Sequence, residues 1–187
     1  MKTKLVLALL VAGAVSFTSC MKKIDEKTMS EITQFGTDWT GLGEKATNWS
    51  TELATTASKA KEFANQQNTM VASMASSKDE AMKSKIADMA SKATADASKF
   101  EGMQNEFTSF KTTWDETTNQ FSEWKEKVMK GQVNAEDVTK GMADFKTKMA
   151  DAQAKIDSWG TSYAEAKSTC EQNMAMAESI TTAPAKK

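Results

Sequence analysis

Residues 100–128 read Phe100-Glu-Gly-Met103-Gln-Asn-Glu-Phe107-Thr-Ser-Phe110-Lys-Thr-Thr-Trp114-Asp-Glu-Thr117-Thr-Asn-Gln-Phe121-Ser-Glu-Trp124-Lys-Glu-Lys-Val128. Apolar side chains recur here at alternating steps of three and four, with Thr117 as the one interruption. An α-helix returns to the same face at that spacing, so the pattern predicts a helix with a continuous apolar stripe of coiled-coil type. Upstream the same seam begins at Met82, Ile86, Met89 and Ala93 and meets one further exception, Asp96. A second seam runs from Ile32 through Phe35, Trp39, Leu42, Ala46, Trp49, Leu53, Ala60, Phe63, Met70 and Met74, broken at Thr56 and Gln67. A third runs from Val138 through Phe145, Ile156, Trp159, Tyr163, Ala166, Cys170 and Ala177 to Ile180, broken at Asn173. Of 40 seam positions 35 are apolar, against 40% for the whole chain, so chance does not account for the pattern.

The gaps between seams predict where the chain turns. After Met74 the register slips by one residue, and Ser77 and Glu80 stand at the spacing of a capping box. Gly131 suits a helix stop, and Asn134, followed by Glu136 and Asp137, suits an N-cap with acids in the first turn. The register across Gly131 would equally permit one continuous helix. The expected architecture is all-α: an elongated antiparallel three-helix bundle, or coiled coil, over residues 20–181. Its helices are expected at about 24–75, 77–130 and 135–181, each about 70 to 80 Å long at 1.5 Å per residue, with a flexible tail at 182–187. Heptads alone leave open whether the helices pack within one chain or between chains. Gly36, Gly41 and Gly43 mark the expected place for a bend or a late helix start.

Antiparallel pairing brings Trp39 and Trp114 to the same height. Glu31–Trp39 matches Glu106–Trp114 at five of nine positions, and Trp49 matches Trp124 at the same offset of 75 residues. Shared heptads or an internal duplication would produce this, although Thr33/Thr108 and Thr37/Thr112 lie off the seam.

The N-terminus carries different information. Lys2 and Lys4 precede an apolar run from Leu5 to Val15, and Ser16-Phe17-Thr18-Ser19 then leads to Cys20. The run is too short to span a bilayer, which needs about 20 apolar residues, and it reads as the hydrophobic region of a signal peptide, residues 1–19. With a cysteine at the cleavage position, the segment resembles the lipobox of bacterial lipoproteins. Phe17 stands where an aliphatic residue is usual. The resemblance implies lipidation of Cys20, by a thioether diacylglycerol and an N-acyl chain such as palmitate, and no other cofactor. Anchoring by three chains, at about 0.8 kcal/mol per buried methylene, would be stable. Met21 is not the Asp of inner-membrane retention in enteric bacteria, which resembles the sorting pattern for the cell outer membrane. Lys22-Lys23-Ile24-Asp25-Glu26 loosely resembles the charged surface-export signals of Bacteroidota lipoproteins. The side of the membrane stays open.

Composition narrows the chemistry. The chain has no His and no Arg, which removes the commonest general base and metal ligand and the bidentate phosphate clamp. Without residues 1–19, 22 lysines face 25 acids, a net charge of −3 that offers nothing to nucleic acid. No catalytic or metal-binding constellation is legible, and the expectation is a protein that is not an enzyme and has no small-molecule substrate. Asp96 is expected to turn aside by a small rotation that brings Ala97 inward; the alternative is a proton-handling group or a specificity device. Cys170 is expected to be a buried, unreactive thiol. Aromatics gather near the anchor, whereas Met70, Met74, Met82 and Met89 gather at the far tip, which is expected to open more readily. Such layers adapt, so these four methionines are the candidate binding residues for a partner helix or an acyl chain.

Three functions follow as expectations. The first is a non-catalytic envelope lipoprotein, a membrane-anchored helical spacer, scaffold or protein-binding surface whose partner is an envelope protein or another copy of itself. The second is a carrier bundle for lipid or another hydrophobic ligand. The third rests on the acylated cysteine, Ala-rich rod and terminal Lys187, which resemble the murein lipoproteins and imply a peptidoglycan tether through Lys187.

Overall fold

The computed structural model describes residues 24–182; the signal segment 1–19, Cys20 and Lys187 lie outside the described residues. It is an all-α three-helix bundle: α1 spans Glu26–Ser73, α2 Glu80–Met129 and α3 Ala135–Thr182. The chain runs up, down and up, with α1 packed more extensively on α2 than on α3. No helix among the described residues is long and apolar enough to cross a membrane.

The caps explain the boundaries and correct two of them. Asp25 accepts the Thr28 amide proton at 2.7 Å and starts α1 at Glu26, two residues later than the seam suggests. The expected Ser77–Glu80 capping box does not form. Asp79 is the N-cap of α2 and accepts from the Met82 amide at 2.9 Å, while the Ser77 hydroxyl accepts from the Asp79 amide at 3.2 Å. Residues 74–79 are thereby spent on the turn, and α2 opens at Glu80 rather than at 77. At the second turn Gly131 has φ +66°, the left-handed conformation that glycine tolerates best. The Gly131 amide donates to the Val128 carbonyl and the Gln132 amide to the Lys127 carbonyl, each at 2.9 Å, which is a Schellman closure. Asn134 Oδ1 then accepts from the Asp137 amide at 2.9 Å, as expected of an N-cap. A hairpin forms where the seam alone would permit a continuous helix. At its far end α3 continues to Thr182, where the tail was expected to begin.

The core is a column of four clusters. At the base Ile32, Phe35 and Trp39 meet Phe121, Val128, Val138, Met142 and Phe145. Above them lie Leu42, Ala46, Phe107, Phe110, Ile156 and Trp159, then Leu53, Ala60, Phe100, Met103, Tyr163 and Cys170. The far end holds Phe63, Ala64, Met89, Ala93 and Ala177, with Ile180 and Met174 packed against them. Trp39 and Trp114 do share a height: their rings stack with centroids 4.3 Å apart and planes 11° from parallel. Trp39 Nε1 donates to Thr118 Oγ1 at 2.9 Å and Trp159 Nε1 to Glu106 Oε2 at 2.9 Å, so both large rings bury their faces while their polar edges stay bonded.

Off the seam, threonine hydroxyls bond back to carbonyls four residues earlier. Thr33 and Thr37 in α1 do this, and so do their sequence counterparts Thr108 and Thr112 in α2. The bond satisfies each hydroxyl within its own helix.

The glycines of α1 do not delay or interrupt it; the helix is continuous through Gly36, Gly41 and Gly43. Two of them make room. A methyl group on Gly43 would lie 3.2 Å from Trp114 Nε1, and one on Gly36 3.0 Å from Lys125 Nζ. In α3 Gly141 is tighter still, since a Cβ there would collide with the indole of Trp124, whereas one on Gly41 would meet nothing within 4 Å. Gly141→Ala should therefore destabilise the bundle by about 1–3 kcal/mol through overpacking. Gly41→Ala should stabilise it by up to about 1 kcal/mol through helix propensity. Thermal unfolding followed by circular dichroism checks the opposite signs.

Candidate functional site

The far half of the rod holds the features that packing alone does not explain. Asp96 points inward and is 9% exposed, so the expected rotation toward Ala97 does not occur. The reason is a partner that a single seam cannot reveal: Asn173, itself 6% exposed, donates from Nδ2 to Asp96 Oδ2 at 2.7 Å across the α2–α3 interface. Two of the five seam exceptions are therefore one hydrogen-bonded pair. A third, Thr56, meets the Tyr163 hydroxyl at 2.7 Å, and that hydroxyl lies 3.0 Å from Glu52 Oε1. Lys167 Nζ reaches the same carboxylate oxygen at 3.1 Å.

These contacts shift the groups involved. The Glu52 carboxyl is held below its usual range by the Lys167 hydrogen bond first and the Tyr163 hydroxyl second. The Lys167 ammonium is raised, chiefly by the same bond to Glu52. Burial raises the Tyr163 phenol. Because the Glu52 shift is downward, its stabilising contribution is present above the ordinary Glu range and is lost as the pH falls through the lowered value. The side chain is exposed, so solvent screens the contribution.

Cys170 lies on the inner face of α3, one turn before Asn173, and is 3% exposed. Burial first, then the neighbouring charges of Asp96 and Glu171, push its thiol up to about 11. A thiol so protonated at neutral pH is a poor nucleophile.

Beside these polar contacts a groove lies between α1 and α3. Its distal part is open to solvent and measures about 820 Å³, with an apolar floor of Phe63, Met70, Met174 and Ala177 and polar rims that include Lys59 and Glu178. A second part of about 390 Å³ continues toward the middle of the rod past Cys170 and Thr56, sharing Lys59 and Met174 with the first. Of the four candidate methionines, Met70 lines the groove. Met74 and Met82 are half-buried by the first turn, and Met89 is a core residue packed among Phe63, Ala64, Ala93 and Ala177. The structure thus does not gather the four on one surface. Sequence reasoning missed Met174 and Phe63 as groove residues. The available signal was Gln67, a polar seam residue that proves to line the same groove.

Among the described residues no group of three or more His, Cys, Asp or Glu is placed to hold a metal ion. Comparison with protein-family models, curated proteins and solved structures finds no significant match.

In a Cys20→Ser protein, Cys170 should react with a soluble thiol reagent at pH 8 on the order of 100-fold more slowly when native than when denatured, as its raised thiol implies. Equal rates in the two states would show an accessible thiolate.

Proposed function

We propose that the chain is a lipid-anchored, non-catalytic envelope protein whose helical rod serves as a spacer, a scaffold or a protein-binding surface, most simply at the outer membrane. The observation that carries this reading is Cys20 at the end of a lipobox-like segment, only six residues before the first residue of α1. An extended chain of six residues spans at most about 22 Å. The rod would therefore begin almost at the bilayer, with its aromatic base next to the lipid and its thin tip directed away. At about 1.5 Å per residue, a 48-residue helix carries that tip roughly 70 Å from its base. The polar groups at mid-rod pair with one another, Asp96 with Asn173 and Thr56 with Tyr163, which suits a role in position and surface better than one in chemistry.

Cells fed an alkyne fatty acid should yield a labelled protein that partitions into the detergent phase. Cys20→Ser should lose the label and move to the aqueous phase. An unlabelled wild-type protein would overturn the anchored reading.

The α1–α3 groove supports a second reading, a carrier of single-chain hydrophobic ligands. Its open apolar floor would accept an alkyl chain along Phe63, Met174 and Met70. Native mass spectrometry of the Cys20→Ser protein with added oleate should then show a bound species that Met174→Glu abolishes. Binding that is absent, or indifferent to Met174→Glu, removes this reading.

A further inference from the structure

We propose that the buried Asp96–Asn173 hydrogen bond is a register lock, a polar pair that selects one alignment of α2 on α3 from the several that the apolar seams alone would accept. The need for one lies in the sequence. All three seams repeat every seven residues, so the seams by themselves would accept a slide of one heptad. The short turn at Gly131 and the seating of Trp124 over Gly141 resist it at the base, and the polar pair acts at mid-rod. The α2 and α3 seams also keep step across Gly131, as Val128, Gly131, Ala135 and Val138, so a long uninterrupted helix pairing with a second copy is a real competitor.

The polar pair separates these alternatives. In the observed alignment Asn173 Nδ2 and Asp96 Oδ2 are 2.7 Å apart and both side chains are buried. Slide α3 by one heptad and Asp96 faces the height of Ala166 or Ile180, while Asn173 faces that of Met89 or Met103. Neither the carboxylate nor the amide then finds a partner, and an unpaired polar group in an apolar layer is strongly disfavoured. Parallel association in register would set Asp96 against Asp96, placing two carboxylates together. The Tyr163 hydroxyl adds a constraint on α1: it meets Thr56 in the observed alignment, whereas a heptad slip would carry it to the height of Trp49 or Phe63. The two contacts stand about 15 Å apart along α3 and together fix all three helices at mid-rod.

The test reads alignment directly. In a Cys20→Ser, Cys170→Ser background, spin labels at Ser122 and Glu165, both exposed, sit at different heights on α2 and α3. A one-heptad slip moves one label past the other by about 10 Å along the rod. The parent and the exchanged pair Asp96→Asn/Asn173→Asp should each give one narrow distance and one elution peak. Asp96→Leu/Asn173→Leu should split the distance into populations about a heptad rise apart and broaden the elution profile, with no loss of thermal stability. Asp96→Ala/Asn173→Ala is read in the same way if the leucine pair loses helicity. A single parental distance in the apolar variants overturns the lock, and so does a mixed population in the exchanged pair.

Discussion

A three-helix rod has one buried stripe per helix, and that constraint governs everything else in this molecule. Each layer of the core receives about three side chains, with no second shell behind them to absorb a poor fit. Interiors pack at crystal-like density, so a large residue on one helix demands space on its neighbours. The aromatic half shows the consequence: Trp114 lies against Gly43 and Trp124 against Gly141. Small residues that look like weak points for a helix are the complement of indoles on the facing one, and α1 and α3 run through them unbroken. Toward the tip the core is mostly Ala and Met, with Phe63 and Ile86 the larger buried side chains, and a groove lies between α1 and α3.

The same narrowness sets the status of polar groups. A wide core can bury an Asn–Asp pair among many apolar neighbours with little effect on its shape; in a rod this slender the pair occupies most of a layer. Asp96 and Asn173 therefore interrupt the apolar column, and the Thr56–Tyr163 hydroxyl pair does so again about 15 Å away along α3, with exposed Glu52 at its edge. On the surface the logic is reversed. Lys111–Asp115, Lys140–Glu136 and Lys148–Asp144 are exposed pairs four residues apart on one helix, each worth only a few tenths of a kcal/mol, and they solubilise the rod more than they hold it.

The fold was legible in the sequence because, in such a rod, the seam and the core are nearly the same set of residues. Periodicity named Ile32, Phe100 and Val138, and these are among the most deeply buried side chains. The stop at Gly131 and the cap at Asn134 were legible because their chemistry is local. The start of α2 was misread because two capping patterns overlap at Ser77 and Asp79, and which one wins depends on how many residues the turn consumes. Asp96 was misread for a different reason. On a single helix a polar seam residue looks like an error in the stripe, and its partner is 77 residues away on another helix. The heights fixed by Trp39 and Trp114 relate α1 to α2 but say nothing of α3. The groove was illegible because it is set by the spacing between helices, and seam periodicity specifies which face packs without specifying how closely.

The distribution of these features along the axis bears on how such a rod could work. At its base, stacked indoles and phenylalanines tie α1, α2 and α3 together where the proposed anchor would transmit force or restrict tilt. At mid-rod, hydrogen bonds that tolerate only one alignment hold the helices in step. Beyond that point the helices are joined by small contacts and methionines, side chains that can repack around whatever approaches. Under the proposed anchoring, the broad aromatic layers would lie next to the membrane and the layers of small residues and methionines away from it. That contrast arises from a gradient in side-chain size along three otherwise uniform heptad repeats.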